Sequence, residues 1–199
     1  MIKNKKIILI GAGPLGLNAA HIIQTQGIYE IAGFIDTKKG TIGGIEILGN
    51  DSKLETLRDK GITNAVVCIG NSQKRIEISR EIKNKGFNIP TLIHPSADVG
   101  LNAEISEGTI IFHNVFMGPE VVIGPYCVIE AGVFIGHNVK ICEGVLLSAR
   151  AVVGNLASIG SCSTFKIAAG CNNKIKIGRN CIISEFKTLF DNLDNENMI

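Results

Sequence analysis

Four histidines are the side chains in this sequence best suited to moving a proton near neutral pH, because an unperturbed imidazole titrates there. His21 falls inside a helical run and reads as structural; His94 stands where a turn opens a repeat and reads as its cap. His113 and His137 each lie two residues after an apolar station of a sixfold repeat, which places both on turns. One coil plus one hexapeptide separates them, so they belong to different corners and one chain cannot use both at one site. The second group with chemical potential is Gly11-Ala12-Gly13-Pro14-Leu15-Gly16. Such a turn offers bare backbone N–H groups and a helix N-terminus to a phosphate. Asp36 follows where a ribose or base partner belongs.

His113 and His137 must be positioned by the stretch from Ala97 to Ser184. From Val99 to Ile183 every sixth residue is apolar, through Ile105, Ile123, Ile141, Ile159 and Ile177, with no insertion or gap. Two places before each station sits a small or β-branched residue, and the residue after it is often glycine. A helix repeats near 3.6 residues and a strand at 2, so a sixfold beat fits neither. It is the mark of a β-solenoid, whose rungs are too small to bury their own apolar face and stack instead. Each hexapeptide makes one short strand and one turn, and three close a triangular coil with the stations inside. About 15 hexapeptides then give roughly five coils stacked at about 4.8 Å.

The glycine-rich turn needs a different scaffold. Lys6-Ile7-Ile8-Leu9-Ile10 is the continuous apolar run of a strand buried on both faces. A helix from about Leu15 to Gln26 follows, then strands over Ile31–Ile35 and Ala65–Ile69, with helices near Ser52–Lys60 and Gln73–Lys85. The alternation predicts a small Rossmann-like, doubly wound parallel sheet. The expected division is residues 1–88 for this nucleotide-binding part, 89–186 for the solenoid and 187–199 for an acidic C-terminal tail.

Composition narrows the partners. The 199 residues carry a formal charge of +2 with mixed signs, two Tyr and no Trp, which disfavours nucleic acid and a charged membrane surface. No apolar run reaches membrane-spanning length, and the charged N-terminus leads straight into a strand, so no signal peptide is expected. Six cysteines show no Cys-x-x-Cys spacing, and three fall on inward repeat positions, so they read as small core fillers rather than metal ligands. A cytoplasmic, reducing compartment is expected.

The hexapeptide pattern, with Ile93-His94-Pro95-Ser96-Ala97 at its opening, resembles the left-handed β-helix acyltransferases. Within them it resembles the branch of NeuD-type sialic acid O-acetyltransferases and bacillosamine-pathway N-acetyltransferases. The left hand of the coil comes from that resemblance. The resemblance implies transfer of an acetyl group from acetyl-CoA to an amine or hydroxyl of a nucleotide-linked sugar used in surface glycan synthesis, with no metal. It implies a homotrimer whose sites lie between neighbouring prisms. Phe134-Ile135-Gly136-His137-Asn138 aligns on the segment carrying the catalytic histidine, so His137 is the expected general base, with Asn138 where the family has Glu or Asp. The backbone N–H of Asn155 matches the oxyanion donor; Ile167 and Glu185 match positions lining the CoA channel, and Leu146 matches a second histidine touching the cofactor. Gly13, Pro14, Leu15, Asp36, Thr37 and Gly70 match the sugar-nucleotide contacts, with Pro14-Leu15 where the family usually has Gly-His.

Two other classes stay open. The departures at Asn138, Leu146 and Glu185 suit a binding or assembly protein that keeps the scaffold and has lost the acetyl donor. The glycine-rich turn alone also suits a nicotinamide oxidoreductase, although only half a dinucleotide fold precedes the solenoid.

Overall fold

The computed structural model describes residues 5–199, which divide into two units between Leu92 and Ile93.

In the first unit, Ile7 to Ile10 are buried at the centre of a five-stranded sheet because no polar side chain interrupts them. β1 (Lys5–Ile10) pairs in parallel with β2 (Tyr29–Ile35) on one side and β5 (Asn64–Val67) on the other. α1 (Pro14–Gln26) begins on a proline, whose fixed φ and missing N–H suit the first helical position. It ends at Gly27, which is left-handed (φ 67°) and donates its N–H to Ile23 O. Sequence reasoning missed a hairpin, β3 (Thr41–Ile42) and β4 (Ile45–Gly49), that extends the sheet beyond β2. Gly43 and Gly44 have φ of 56° and 76° and close it. A Gly-Gly pair between apolar residues is the residue signal for such a turn. The expected helices are α2 (Leu54–Asp59), entered by a single 3-10 turn, and α3 (Ser72–Asn84). The third strand ends two residues earlier than expected. There the buried Arg75 guanidinium donates to Ile69 O (2.8 Å) and Gly70 O (3.0 Å), turning the chain into α3.

In the second unit each hexapeptide contributes a two-residue strand, and each strand pairs in parallel with the one 18 residues on. Three flat sheets of six, five and six strands result. Together they form a left-handed parallel β-helix. Ile123, Ile141, Ile159 and Ile177 stand above one another and are at most 4% exposed. The small residues two places earlier, such as Val121, Val139 and Ala157, fill the same core. Only the first coil is open, with Val99 exposed and Ile105 half-buried.

Every sixth residue from Asn102 to Phe186 is left-handed, with φ between 54° and 69°, although few are glycine. That conformation costs roughly 1 kcal/mol or more for a side-chain-bearing residue. From Glu120 onward its N–H donates to a carbonyl of the preceding coil, as in Asn138 N–H to Pro119 O (2.9 Å), while Asn114 N–H donates to Ser96 Oγ (3.1 Å); these bonds offset the strain. Glycine is required at some of the positions just after a station, such as Gly100, Gly118 and Gly154. A Cβ on Gly118 would lie 2.8 Å from His137 N, because the turns of successive coils approach closely there.

Residues 187–199, expected to be a tail, instead continue the solenoid. Thr188–Leu189 pairs with Gly170–Cys171, and bridges join Leu193 to Ile177 and Met198 to Ile182. The offset shortens by two residues in these last bridges, which hides the rung from a sixfold count.

Candidate active site

His137 and Asn138 occupy the turn after the strand Phe134–Ile135. His137 Nδ1 lies 2.9 Å from Asn138 Oδ1. An amide oxygen only accepts, so in the neutral ring this contact favours the proton on Nδ1 and a free lone pair on Nε2. That is the tautomer a general base needs, and both side chains are exposed to an incoming substrate. His137 N–H donates to Asn155 Oδ1 (3.1 Å) of the next coil, which ties down the backbone beneath the ring.

The Asn155 N–H is already engaged. It donates to Asn173 Oδ1, one further coil along, at 2.8 Å. Asn155 O accepts from Lys174 N–H (2.8 Å), so both backbone polar groups of Asn155 are engaged by the next coil. His137, Asn155 and Asn173 thus form a column on one corner of the prism, joined coil to coil by side-chain carbonyls. Local sequence windows do not show this, since each bond spans 18 residues.

The remaining expected positions on the prism lie elsewhere. Leu146 is a half-buried outward residue of a different sheet, in the strand Leu146–Leu147. Ile167 and Glu185 are exposed on turns that follow strands of that same sheet. Within one chain the structure brings together His137, Asn138 and Asn155, and keeps Leu146, Ile167 and Glu185 on another side. His94 caps its turn as expected, its Nδ1 accepting the Ser96 N–H (3.1 Å), and its ring meets His113 edge-on at 5.7 Å.

In the first unit the carboxyl ends of the parallel strands border a cleft of about 260 Å³, lined in part by Gly11, Asp36, Thr37, Asn50, Asp51 and Lys74. Asp36 Oδ2 accepts the Ala12 N–H (2.7 Å), and Oδ1 accepts the Lys38 N–H (3.0 Å) and the Thr37 hydroxyl (3.4 Å). The Lys38 and Ala12 amides hold the Asp36 carboxyl below its usual range, as hydrogen bonds to the charged form do. Asp36 therefore fixes the glycine-rich turn as well as facing the cleft. A Cβ on Gly11 would approach Cys68 O at 2.8 Å, and one on Gly16 would collide with Gly11 O, so these two glycines serve packing. Gly13 and Gly70 have no atom within 4 Å of a built Cβ, and open space stands over both. Pro14 and Leu15 form the first turn of α1; Pro14 lacks an N–H, which leaves one donor fewer toward a phosphate. Asn50, Asp51 and Lys74 were not anticipated, because strand–turn–helix reasoning does not reach the loop after β4 or the first turn of α3. A wider cleft of about 490 Å³ beside Lys176–Gly178 and Asn192–Asn195 holds none of the expected site residues.

The chain thus joins a Rossmann-like sheet to a left-handed β-helix that carries an imidazole on one of its turns. Residues 6–82 match the PglD N-terminal domain family, and residues 102–137 match the bacterial transferase hexapeptide (six repeats) family. The chain therefore carries a segment similar to the PglD N-terminal domain, followed by a segment similar to transferase hexapeptide repeats. It is 29% identical to the UDP-N-acetylbacillosamine N-acetyltransferase of Bacillus subtilis over 110 residues, which cover 54% of this chain and 51% of that protein. The chain spans between 34% and 51% of the length of the curated relatives it matches. PerB from Caulobacter crescentus, solved with CoA and GDP-perosamine, superposes with a TM-score of 0.94 at 22% identity, covering 97% of this chain and 92% of that one. The acetyltransferase domain of PglB from Neisseria gonorrhoeae, solved with acetyl coenzyme A, gives 0.93 at 23% identity and covers 98% and 95%. At these identities the two likenesses are of fold.

Proposed function

We propose that this protein transfers an acetyl group from acetyl-CoA to an amino or hydroxyl group of a nucleotide-linked sugar in surface glycan synthesis. The observation that carries the reading is the 2.9 Å contact from His137 Nδ1 to Asn138 Oδ1, which presents Nε2 as a base on the outer turn of the prism. Nε2 takes the proton of the acceptor amine or hydroxyl as that atom bonds to the thioester carbonyl carbon. The Asn155 N–H serves the oxygen that becomes negative. The C–S bond then breaks, and the imidazolium returns its proton to the CoA thiolate, leaving an amide or ester and free thiol.

The sugar nucleotide lies in the first unit, its phosphates over Gly13 and the start of α1 and its nucleoside toward Asp36, Thr37 and Gly70. The open space over Gly13 and Gly70 supports this, since nothing in the protein itself requires glycine at either position. Leu146, Ile167 and Glu185 contact CoA from a neighbouring copy. The active assembly is therefore a homotrimer with sites between prisms, which accords with their separation from His137 within one chain. An outward row of Phe116, Phe134 and Val152, each 41–47% exposed and the two rings stacked at 5.0 Å, offers an apolar face for that association. The protein works in the cytoplasm, where its six free thiols stay reduced.

His137→Ala tests the assignment: acetyl transfer from acetyl-CoA to a panel of UDP- and GDP-linked amino sugars falls at least a hundredfold, and unchanged turnover removes it. The engaged Asn155 N–H favours a second reading, a sugar-nucleotide-binding protein without acyl transfer. Calorimetry with CoA and with UDP separates the two, because that protein binds the nucleotide and not CoA.

A further inference from the structure

The proposed oxyanion donor is not empty-handed. A thioester carbonyl reaching the Asn155 N–H meets Asn173 Oδ1 already there at 2.8 Å. The residue that carries the donor is held by its neighbours, its carbonyl accepting from Lys174 N–H and its side chain from His137 N–H. The Asn173 side chain is the movable partner. It is exposed, and its own backbone N–H is satisfied separately by Asn172 Oδ1 (2.8 Å), so the carboxamide can leave for water without stranding a buried group.

We propose that Asn173 is a positioning residue that holds the acyl-carbonyl site of this protein, and that the donor's C=O binds by replacing Asn173 Oδ1 on the Asn155 N–H. The inference rests on the acetyltransferase reading above and names the residue of the same site that sets the protein's preference for acyl-loaded over free CoA. Free CoA has no thioester carbonyl and leaves the Asn155–Asn173 bond intact; acetyl-CoA must exchange one neutral hydrogen bond for another. The exchange lowers affinity for the acylated form alone, because the rest of the two ligands is identical. A purely structural cap would give no such distinction, since its removal would loosen the coil for both ligands equally.

The test is calorimetric titration of the full chain with CoA and with acetyl-CoA, in the absence of acceptor, for wild type, Asn173→Ala and Asn173→Asp. A neutral hydrogen bond in an exposed site corresponds to roughly three- to tenfold in a binding constant. Asn173→Ala is expected to tighten acetyl-CoA by about that factor, with CoA unchanged and the KM for acetyl-CoA falling in step while that for the sugar nucleotide stays put. Asn173→Asp keeps the acceptor in charge-assisted form and is expected to weaken acetyl-CoA further. Equal changes for CoA and acetyl-CoA, or no change in their ratio in either variant, overturn the proposal while the acetyltransferase reading stands. Wild-type protein that binds neither thiol nor thioester overturns both.

Discussion

Asn138 is the position where a single atom exchange tests the chemistry of the His137 turn. Its Oδ1 lies 2.9 Å from His137 Nδ1, and its backbone is left-handed at φ 56°, a conformation that aspartate tolerates as asparagine does. Asn138→Asp therefore puts a carboxylate oxygen where an amide oxygen stands, with the ring held in the same tautomer. The new term is the attraction between that carboxylate and the imidazolium that forms as the proton is taken. Two unit charges about 4 Å apart gain about 1 kcal/mol in water and about 4 kcal/mol at an effective dielectric of 20. Both residues are exposed, so the lower figure applies, which is about fivefold in rate. Steady-state acetyl transfer above pH 8 is expected to show kcat up by about that factor. The gain should shrink in 0.5 M salt as the pair is screened. The acidic limb of the pH–rate profile is expected to move to higher pH, because the carboxylate stabilises the protonated ring. Asn138→Ala, which loses the orienting acceptor and keeps the strained backbone, should lose about tenfold. If Asn138→Asp is no faster and Asn138→Ala is as fast as wild type, His137 is not the base.

Three further outcomes follow from the geometry. Gly13→Val should leave thermal unfolding unchanged and abolish nucleotide-sugar binding by calorimetry, since open space lies over Gly13; Gly16→Ala should lower the melting temperature, because its Cβ has no room against Gly11 O. Asp36→Asn should weaken resistance to urea at pH 7, because the depressed carboxyl contributes stability above its ordinary value of 3.8 that is lost as pH falls through its lowered one; the gap to wild type should narrow progressively as the pH is taken below 3.8. Phe134→Glu, on the exposed apolar row, should convert the proposed trimer to monomers in light scattering, with far-ultraviolet circular dichroism unchanged.

The solenoid was legible because its code is periodic: one inward residue in six, repeated from Val99 to Ile183, leaves little choice of register. The glycine-rich turn and β1 were legible for a related reason, a run of four apolar residues stopped by glycine. What stayed hidden depends on groups that meet only in three dimensions. Arg75, buried and bonded to Ile69 O and Gly70 O, looks in the sequence like one more cation on a polar helix. Asn173 looks like wear in the repeat until its side chain is seen to cap a residue one coil away. The last rung was lost because its offset to Ile177 and Ile182 is shorter than a full coil, so a fixed count steps past Leu193 and Met198.

These cases share a physical cause that bears on how such a protein changes function. The stations are constrained by a core in which a truncated isoleucine costs about 2–5 kcal/mol. The turn positions bearing His137, Asn155 and Asn173 face outward, and the left-handed residue beside each has its N–H paired to a backbone carbonyl whatever its side chain; Asn138, Leu156 and Lys174 all occupy it. Side chains there can be exchanged with almost no effect on folding. An asparagine arriving at such a turn finds an outward N–H one coil back within reach and bonds to it, as Asn155 does to His137 and Asn173 does to Asn155. A solenoid thus builds ladders of side-chain caps along its corners, and where the proposed catalytic donor lies on such a corner, the same ladder sets how readily a substrate carbonyl reaches it.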